Sequence, residues 1–124
     1  MPYQVEFDST NQILRARFEG RVTDEELKAY YQRAREIVAQ INPRAGITDF
    51  SAVTSFEVSP DTIRGLANLP PAMPDPAKPR FIVAPTPYVF GMARMFEIEG
   101  KETRPNNHVV RTMREVCAVL GVPE

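Results

Sequence analysis

The sequence is poor in the side chains that most often carry chemistry. It has one cysteine, Cys117, and one histidine, His108, in 124 residues, and it has no tryptophan. A single cysteine excludes an internal disulfide and a zinc site built from several cysteines. Catalysis by a Ser–His or Cys–His pair would have to use His108, which disfavours that class of enzyme. We predict instead that Cys117 fills the core.

The motifs that mark nucleotide, metal, redox and hydrolase sites are also missing. The sequence contains no GxGxxG, P-loop, HExxH, CxxC or GxSxG. Carboxylates are plentiful, and two of them are able to act as general acid and base; the candidates are Asp49, Glu57, Asp61, Glu97, Glu99 and Glu102. Most of these are better explained as solvated helix ends. We therefore predict no catalytic residue, no metal site and no cofactor, and we rank an enzyme behind two non-enzymatic roles.

Neither charge nor hydropathy points to a nucleic acid or a membrane. The chain has 15 basic and 16 acidic side chains, a net charge of −1, so it offers no basic field to a polyanion. No apolar run reaches the roughly 18 residues that a membrane helix needs, and the N-terminus does not resemble a secretory signal. We expect a cytoplasmic protein without membrane insertion, folded as a single domain over residues 1–124.

Strand and helix patterns alternate along the chain. Alternating or continuous apolar residues predict strands at 3–7, 13–20, 45–53, 80–85 and 107–112. Apolar residues at helical spacing predict helices at 23–41, about 60–69, 86–101 and 112–121. The order ββαβαβαβα indicates an α/β sandwich whose sheet is mostly parallel, with an antiparallel N-terminal hairpin at its edge. The stretch RFIVAP (80–85) has an apolar run bounded by prolines, so we expect it to be the central strand.

Helix start signals support these assignments. Thr23 with Glu26, and Thr112 with Glu115, have the spacing of a capping box. Thr86 precedes Pro87, which fits the first position of a helix. The segment PPAMPDPAKP (70–79) is different, because five prolines in ten residues predict an extended chain without internal hydrogen bonds, either mobile or laid across the surface.

Ser59 is the residue with the clearest choice between a structural and a regulatory role. It precedes Pro60 and Asp61 at the start of a predicted helix, so its hydroxyl fits an N-cap. The positive end of a helix also favours a phosphate, and phosphorylation there would change which surface a partner meets. Asp49 is a second candidate, because we expect it near the carboxyl end of the third strand, where open α/β sheets place ligand groups.

A group of flexible apolar side chains on the third helix has two explanations. Met and Phe side chains adapt to irregular shapes and are able to line an apolar ligand pocket. Helical spacing accounts for most of the same residues as ordinary core. The candidates for a pocket are Phe90, Met92, Met95 and Phe96.

The strand-to-helix turn DFSAVTSFEVS (49–59) resembles the STAS domains, the SpoIIAA-like fold of anti-sigma-factor antagonists. In that family an apolar strand leads through a D-L-S-G-V-T-x-x-D-S-S-G signature into a helix. Asp49, Ser51, Val53 and Thr54 agree with the signature, Glu57 stands for its acidic residue, and Ser59 falls on the serine that regulatory members phosphorylate. Val58 and Pro60 depart from it, and Pro60 removes an amide that would grip a phosphate. APTPYVFGMARMFE (84–97) is similar to a bacterial STAS-like branch.

The resemblance implies a non-enzymatic regulatory domain that binds a protein partner. The partner implied is a kinase or an anti-sigma-like protein, and homodimerisation is left open. The regulatory residues implied are Ser59, Asp49 and Glu57, and we add Asp61, in the first turn of the helix that follows Ser59, as a further interaction candidate. The alternative is a carrier or sensor of a small apolar ligand, as in lipid-transfer proteins with a related sandwich.

Overall fold

The computed structural model describes residues 2–124. Five strands and four helices follow in the predicted order ββαβαβαβα. The strands are β1 (Tyr3–Asp8), β2 (Ile13–Thr23), β3 (Ala45–Glu57), β4 (Arg80–Val83) and β5 (Asn107–Val110). The helices are α1 (Asp24–Ile41), α2 (Pro60–Ala67), α3 (Pro87–Glu99) and α4 (Met113–Leu120).

The strands form one mixed sheet in the order β1-β2-β3-β4-β5. β1 pairs antiparallel with β2, and the other pairs are parallel, which confirms the predicted fold class. The prediction that 80–85 forms the central strand is wrong, because β3 holds that place. The apolar run in β4 reflects burial of Phe81 and Val83 against α4 and partial burial of Ile82 on the other face. A strand is able to be covered on both faces without lying in the middle of the sheet.

β2 and β3 are longer than the sequence patterns predict. We expected them to end at Gly20 and Val53, but they continue as a pair to Thr23 and Glu57. Gly20 has a φ of +69° beside a register shift, so the glycine that looks like a turn forms an irregularity within a continuing strand. The extension carries the third strand several residues closer to α2.

Three helices cover one face of the sheet and one helix covers the other. Phe18 and Phe50 pack against apolar residues of α1, α2 and α3, including Leu27, Leu66 and Met92. The opposite face, built around Ile13, Ala45, Ile47, Phe81 and Val83, packs against Val116 of α4. Cys117, on α4, is 3% exposed and fills core as predicted.

Local capping follows the sequence signals with one exception. Both capping boxes form, with Thr23 and Thr112 each accepting a hydrogen bond from the backbone of the glutamate three residues later. Thr86 takes the N-cap position of α3, but its side chain makes no capping hydrogen bond. Asn42 ends α1 in the left-handed conformation at φ 46°.

The proline-rich segment 70–79 is anchored to the body of the protein. The expectation that it lacks internal hydrogen bonds is wrong, because the amides of Ala77 and Lys78 donate to the Asp75 side chain and carbonyl. Met73 is buried among Leu14 and Val38. The segment therefore forms a fixed wall beside α1.

Candidate functional site

Ser59 caps the N-terminus of α2, as the sequence predicts. Its backbone is extended (φ −79°, ψ 152°), and its Oγ accepts a hydrogen bond from the amide of Thr62 at 3.2 Å. The Thr62 hydroxyl lies 3.1 Å from the same oxygen. Ser59 as a residue is half-buried, and its hydroxyl makes a structural bond to the first turn of α2.

Asp24 contacts Ser59 across the gap between two helices. Asp24 is the first residue of α1, and its Oδ1 accepts a hydrogen bond from the Ser59 amide at 2.8 Å. This bond, helped by the hydroxyls of Thr62 and Ser59, holds the pKa of the Asp24 carboxyl below its usual range, against a smaller opposing effect of burial. The carboxylate therefore stays charged and already occupies the anion-attracting end of α2.

Sequence reasoning missed Asp24. Within its own helix it is explained as a favourable charge in the first turn. Only the parallel pairing of β2 with β3, which sets Thr23 opposite Glu57, brings the starts of α1 and α2 side by side. No local pattern around residue 24 contains that information.

Glu57 lies at the end of β3 and is neutralised by a neighbour on β2. Nε and Nη2 of Arg21 donate to its two carboxylate oxygens at 2.6 and 3.0 Å, in a bidentate pair. The Ser55 hydroxyl donates to it as well, at 2.9 Å. The Arg21 hydrogen bond, followed by that of Ser55, lowers the pKa of Glu57. Because both partners are exposed, the pair fixes geometry more than it stabilises the fold.

Asp61 points into solvent in the first turn of α2. Its side chain is 97% exposed and lies 3.1 Å from the guanidinium of Arg64, one turn later. Asp24, Glu57 and Asp61 thus surround Ser59, and Arg21 and Arg64 pair with the last two of these carboxylates. We name Asp24, Glu57, Ser59 and Asp61 the Ser59 surface.

Asp49 lies away from the Ser59 surface. The expectation that it sits near the end of the third strand is wrong, because β3 continues for eight residues beyond it. At about 3.3 Å per residue of strand, its backbone is roughly 25 Å from that of Glu57. Its carboxylate accepts hydrogen bonds from the amide and hydroxyl of Ser51, so local contacts explain it.

Of the four α3 residues predicted to line an apolar pocket, one lines a cavity in the structure. Two cavities of about 140 and 100 Å³ lie beneath α1, and Phe96 lines both. Phe90, Met92 and Met95 line neither of them. Met92 is core, and Phe90 lies under the guanidinium of Arg111, 4.0 Å from its ring centre.

Within residues 2–124, no group of three or more His, Cys, Asp or Glu side chains is arranged to hold a metal ion. His108 is exposed on β5, and its Nε2 lies 2.6 Å from the side-chain oxygen of Asn106. None of the helices over the same residues is both long and apolar enough to cross a membrane.

Comparison with known proteins gives a match at the level of structure. The sequence matches no protein-family model and no curated protein. The unphosphorylated form of the anti-sigma factor antagonist SpoIIAA superposes with a TM-score of 0.62 at 14% identity, over 98% of this chain and 99% of that one. An anti-sigma factor antagonist from Mycobacterium paratuberculosis gives 0.64 at 16% identity, over 96% and 94%.

A third match is the phosphorylated form of SpoIIAA, described as a Bacillus cell fate determinant. It superposes with a TM-score of 0.59 at 15% identity, over 94% of this chain and 98% of that one. Sequence identity is low in every case, but the shared architecture extends over nearly the whole length of each chain. The mixed five-stranded sheet and its four helices are therefore those of the SpoIIAA-like fold of anti-sigma factor antagonists.

Proposed function

We propose that the protein is a non-enzymatic regulatory domain that presents the Ser59 surface to a protein partner. The observation that carries the proposal is the half-buried Ser59 that caps the start of α2, on the fold of proteins named as anti-sigma factor antagonists. One of those proteins, SpoIIAA, has a phosphorylated and an unphosphorylated form. By analogy, the partner is a kinase or an anti-sigma-like protein.

The chemistry around Ser59 sets what a modification would do. A phosphate on its Oγ carries a charge of about −1.5 to −2 at neutral pH. It would lie beside the Asp24 carboxylate, which holds the Ser59 amide. Repulsion would drive that carboxylate away and free the amide for the phosphate. We propose that this exchange separates the first turns of α1 and α2 and changes the surface that a partner meets.

The surface itself favours a partner with basic side chains. Asp61 is almost fully exposed, and Asp24 keeps its charge because of the Ser59 amide. Opposite charges across an interface speed encounter and exclude wrong partners more than they add affinity. Asp49, which lies along β3 at a distance, is not part of the proposed interface.

A charge swap at Ser59 tests this role. Affinity purification from a lysate of the native host would compare wild type, Ser59→Asp and the control Ser9→Asp. Ser9 is exposed in the turn between β1 and β2, at the opposite end of the β2–β3 pair from Ser59. We expect wild type and Ser9→Asp to retain the same protein, identified by mass spectrometry, and Ser59→Asp to lose it.

The comparison has a clear contrary outcome. If all three proteins retain the same set, or if none retains any protein, the Ser59 surface does not act as a switch. Circular dichroism of the three proteins would show that Ser59→Asp is still folded. Aspartate is itself a good N-cap, so we expect its helix content to match wild type.

A further inference from the structure

The larger of the two cavities, which we name the α1 cavity, lies between α1, the sheet and the proline-rich segment. Its volume is about 140 Å³, close to the roughly 150 Å³ of an engineered cavity that binds benzene. One part of its wall is apolar and includes Ala34 and Val38 of α1, Met73 of the proline-rich segment, and Phe96. The cavity as a whole thus has room for a molecule about the size of a single ring.

Three residues in the rest of the wall carry buried side-chain donors without a partner among the described residues. Four buried side-chain atoms have no partner among the described residues, namely Tyr31 Oη, Arg80 Nε, Arg80 Nη1 and Asn107 Nδ2. All three residues line the α1 cavity. Asn107 is only 4% exposed and Tyr31 only 9%. Buried polar atoms in native proteins nearly always have partners, so four in one cavity require an explanation.

The three residues that carry the unpaired atoms line one cavity, and the atoms share one chemical character. Arg80 on β4 and Asn107 on β5 face each other in the register of the sheet. The guanidinium and amide nitrogens only donate hydrogen bonds, and the tyrosine hydroxyl is able to donate. The partner that this set lacks is therefore an acceptor.

Positive charge at the same place narrows the acceptor to an anion. Arg104, 4% exposed, lines the cavity together with Arg80, and neither forms a salt bridge within residues 2–124. Burial lowers the pKa of both guanidinium groups, and the charge of Arg104 lowers that of Arg80 further. Smaller opposing effects come from Asp75 on the pKa of Arg80 and from Tyr31 on that of Arg104. Buried charges are normally compensated by an opposite charge.

We propose that the α1 cavity binds a small organic carboxylate with a single ring or a short aliphatic chain. The carboxylate oxygens, with about four acceptor positions, accept from Arg80, Asn107 and Tyr31. The apolar body lies against α1, Met73 and Phe96. This ligand differs from the purely apolar one expected from the Met and Phe side chains of α3, and its binding is independent of the Ser59 surface.

Matched pairs of probes test the two halves of the proposal. Benzoate and hexanoate would be titrated into ¹⁵N-labelled protein, followed by NMR and calorimetry, beside their neutral amides and inorganic phosphate. We expect saturable binding of a carboxylate, with shifts at the amides of Tyr31, Arg80 and Asn107. The amides should bind at least about tenfold more weakly, since hydrogen bonds to a charged group are the stronger ones. Inorganic phosphate, which lacks an apolar body, should be weaker as well.

An asparagine in the cavity lining and a glutamine away from it provide the matched variants. Asn107→Asp places a carboxylate inside the cavity, so it should supply the missing anion, raise the melting temperature of the free protein and weaken benzoate binding at least about tenfold. Gln4→Glu also replaces a side-chain amide by a carboxylate, but at an exposed position of the edge strand β1 and outside the cavity lining, and should leave the affinity within about twofold. Tyr31→Phe, which should fold regardless of the outcome at Asn107, is expected to weaken benzoate severalfold.

Three results would overturn the proposal. The first is equal affinity for a carboxylate and its amide. The second is the absence of saturable binding by either carboxylate at millimolar concentration. The third is unchanged carboxylate affinity in both Asn107→Asp and Tyr31→Phe. None of these results bears on whether Ser59→Asp loses a protein partner, so the two proposals fail separately.

Discussion

The Ser59 surface and the α1 cavity treat their polar groups in opposite ways. At the Ser59 surface each key group has a partner, since Ser59 bonds to Thr62 and Asp24, and Glu57 bonds to Arg21. Among the residues lining the α1 cavity, donors of Tyr31, Arg80 and Asn107 are buried without a partner in the described part of the chain. A surface whose polar groups all have hydrogen-bond partners needs no ligand, and we expect its conformation to change only when a new charge is added. A cavity with unpaired donors gains its missing hydrogen bonds when a ligand binds.

The largest expected effect comes from the buried arginine of the cavity. Arg104 donates to the carbonyls of Leu66, Ala67 and Leu69 at 2.8–3.2 Å. Arg104→Met leaves these carbonyls without their donor, so we expect the free energy of unfolding in urea to fall by about 2–4 kcal/mol. Arg94→Met removes an exposed arginine from α3 and should cost less than about 0.5 kcal/mol. Equal losses would show that Arg104 contributes no more than a surface charge.

A comparison of two helix N-caps measures how much the stability of the Ser59 surface depends on the Ser59 hydroxyl. Ser59→Ala removes a capping hydrogen bond and should cost about 1 kcal/mol. Thr86→Ala changes an N-cap with no side-chain bond, so its cost should stay within a few tenths of a kcal/mol. Chemical denaturation of both variants gives the difference. A cost at Thr86 as large as that at Ser59 would contradict the capping geometry.

Adjacent tyrosines make the same comparison within α1. The Tyr30 hydroxyl lies 3.0 Å from that of Thr48, whereas the Tyr31 hydroxyl has no partner within residues 2–124. Tyr30→Phe should destabilise by about 1 kcal/mol, and Tyr31→Phe should be neutral or stabilise by up to about 1 kcal/mol. Thermal melting without added ligand distinguishes the two signs. Destabilisation of similar size in both variants would mean that Tyr31 has a partner in the free protein.

The smallest effect is a pH dependence at the Ser59 surface. Because the folded protein lowers the pKa of Asp24, its contribution to stability is complete above the ordinary aspartate pKa of about 3.9 and is lost as pH falls below it. We expect the free energy of unfolding of Asp24→Asn to fall less steeply than that of wild type as the pH decreases through this range. Asp61→Asn, at a solvent-exposed carboxylate, serves as the control. If the free energy of unfolding depends on acid pH in the same way for Asp24→Asn and wild type, the contact with Ser59 is not retained in solution.

Most of the fold was predictable because its signals are local. The capping boxes at Thr23 and Thr112, the N-cap at Ser59 and the order of elements depend on residues a few positions apart. The position of β4 in the sheet was not predictable. An apolar run indicates that both faces of a strand are buried, but it does not indicate which strands lie on either side of it. The ends of β2 and β3 were missed because their extension depends on mutual pairing and on Gly20 within a strand.

The candidate sites were predictable only in part, for the same reason. Ser59 was found from its local pattern, whereas Asp24 joins it through strand pairing. Arg80 and Arg104 were not singled out, because arginine is rarely buried and no sequence pattern marks the exceptions. Asn107 and Tyr31 looked like ordinary members of a strand and a helix. Their relation exists only when the sheet and α1 are assembled.

The contact between Arg104 and the end of α2 has a consequence for how the molecule opens. The carbonyls that it bonds lie 35 to 38 residues earlier in the chain. The C-terminal carbonyls of the short helix α2 thus receive their hydrogen bonds from a loop beyond α3. An eight-residue helix is too short to persist by itself in water. Amide exchange in 60–67 and in the loop at 100–104 should therefore occur through one shared opening event, as a single cooperative unit.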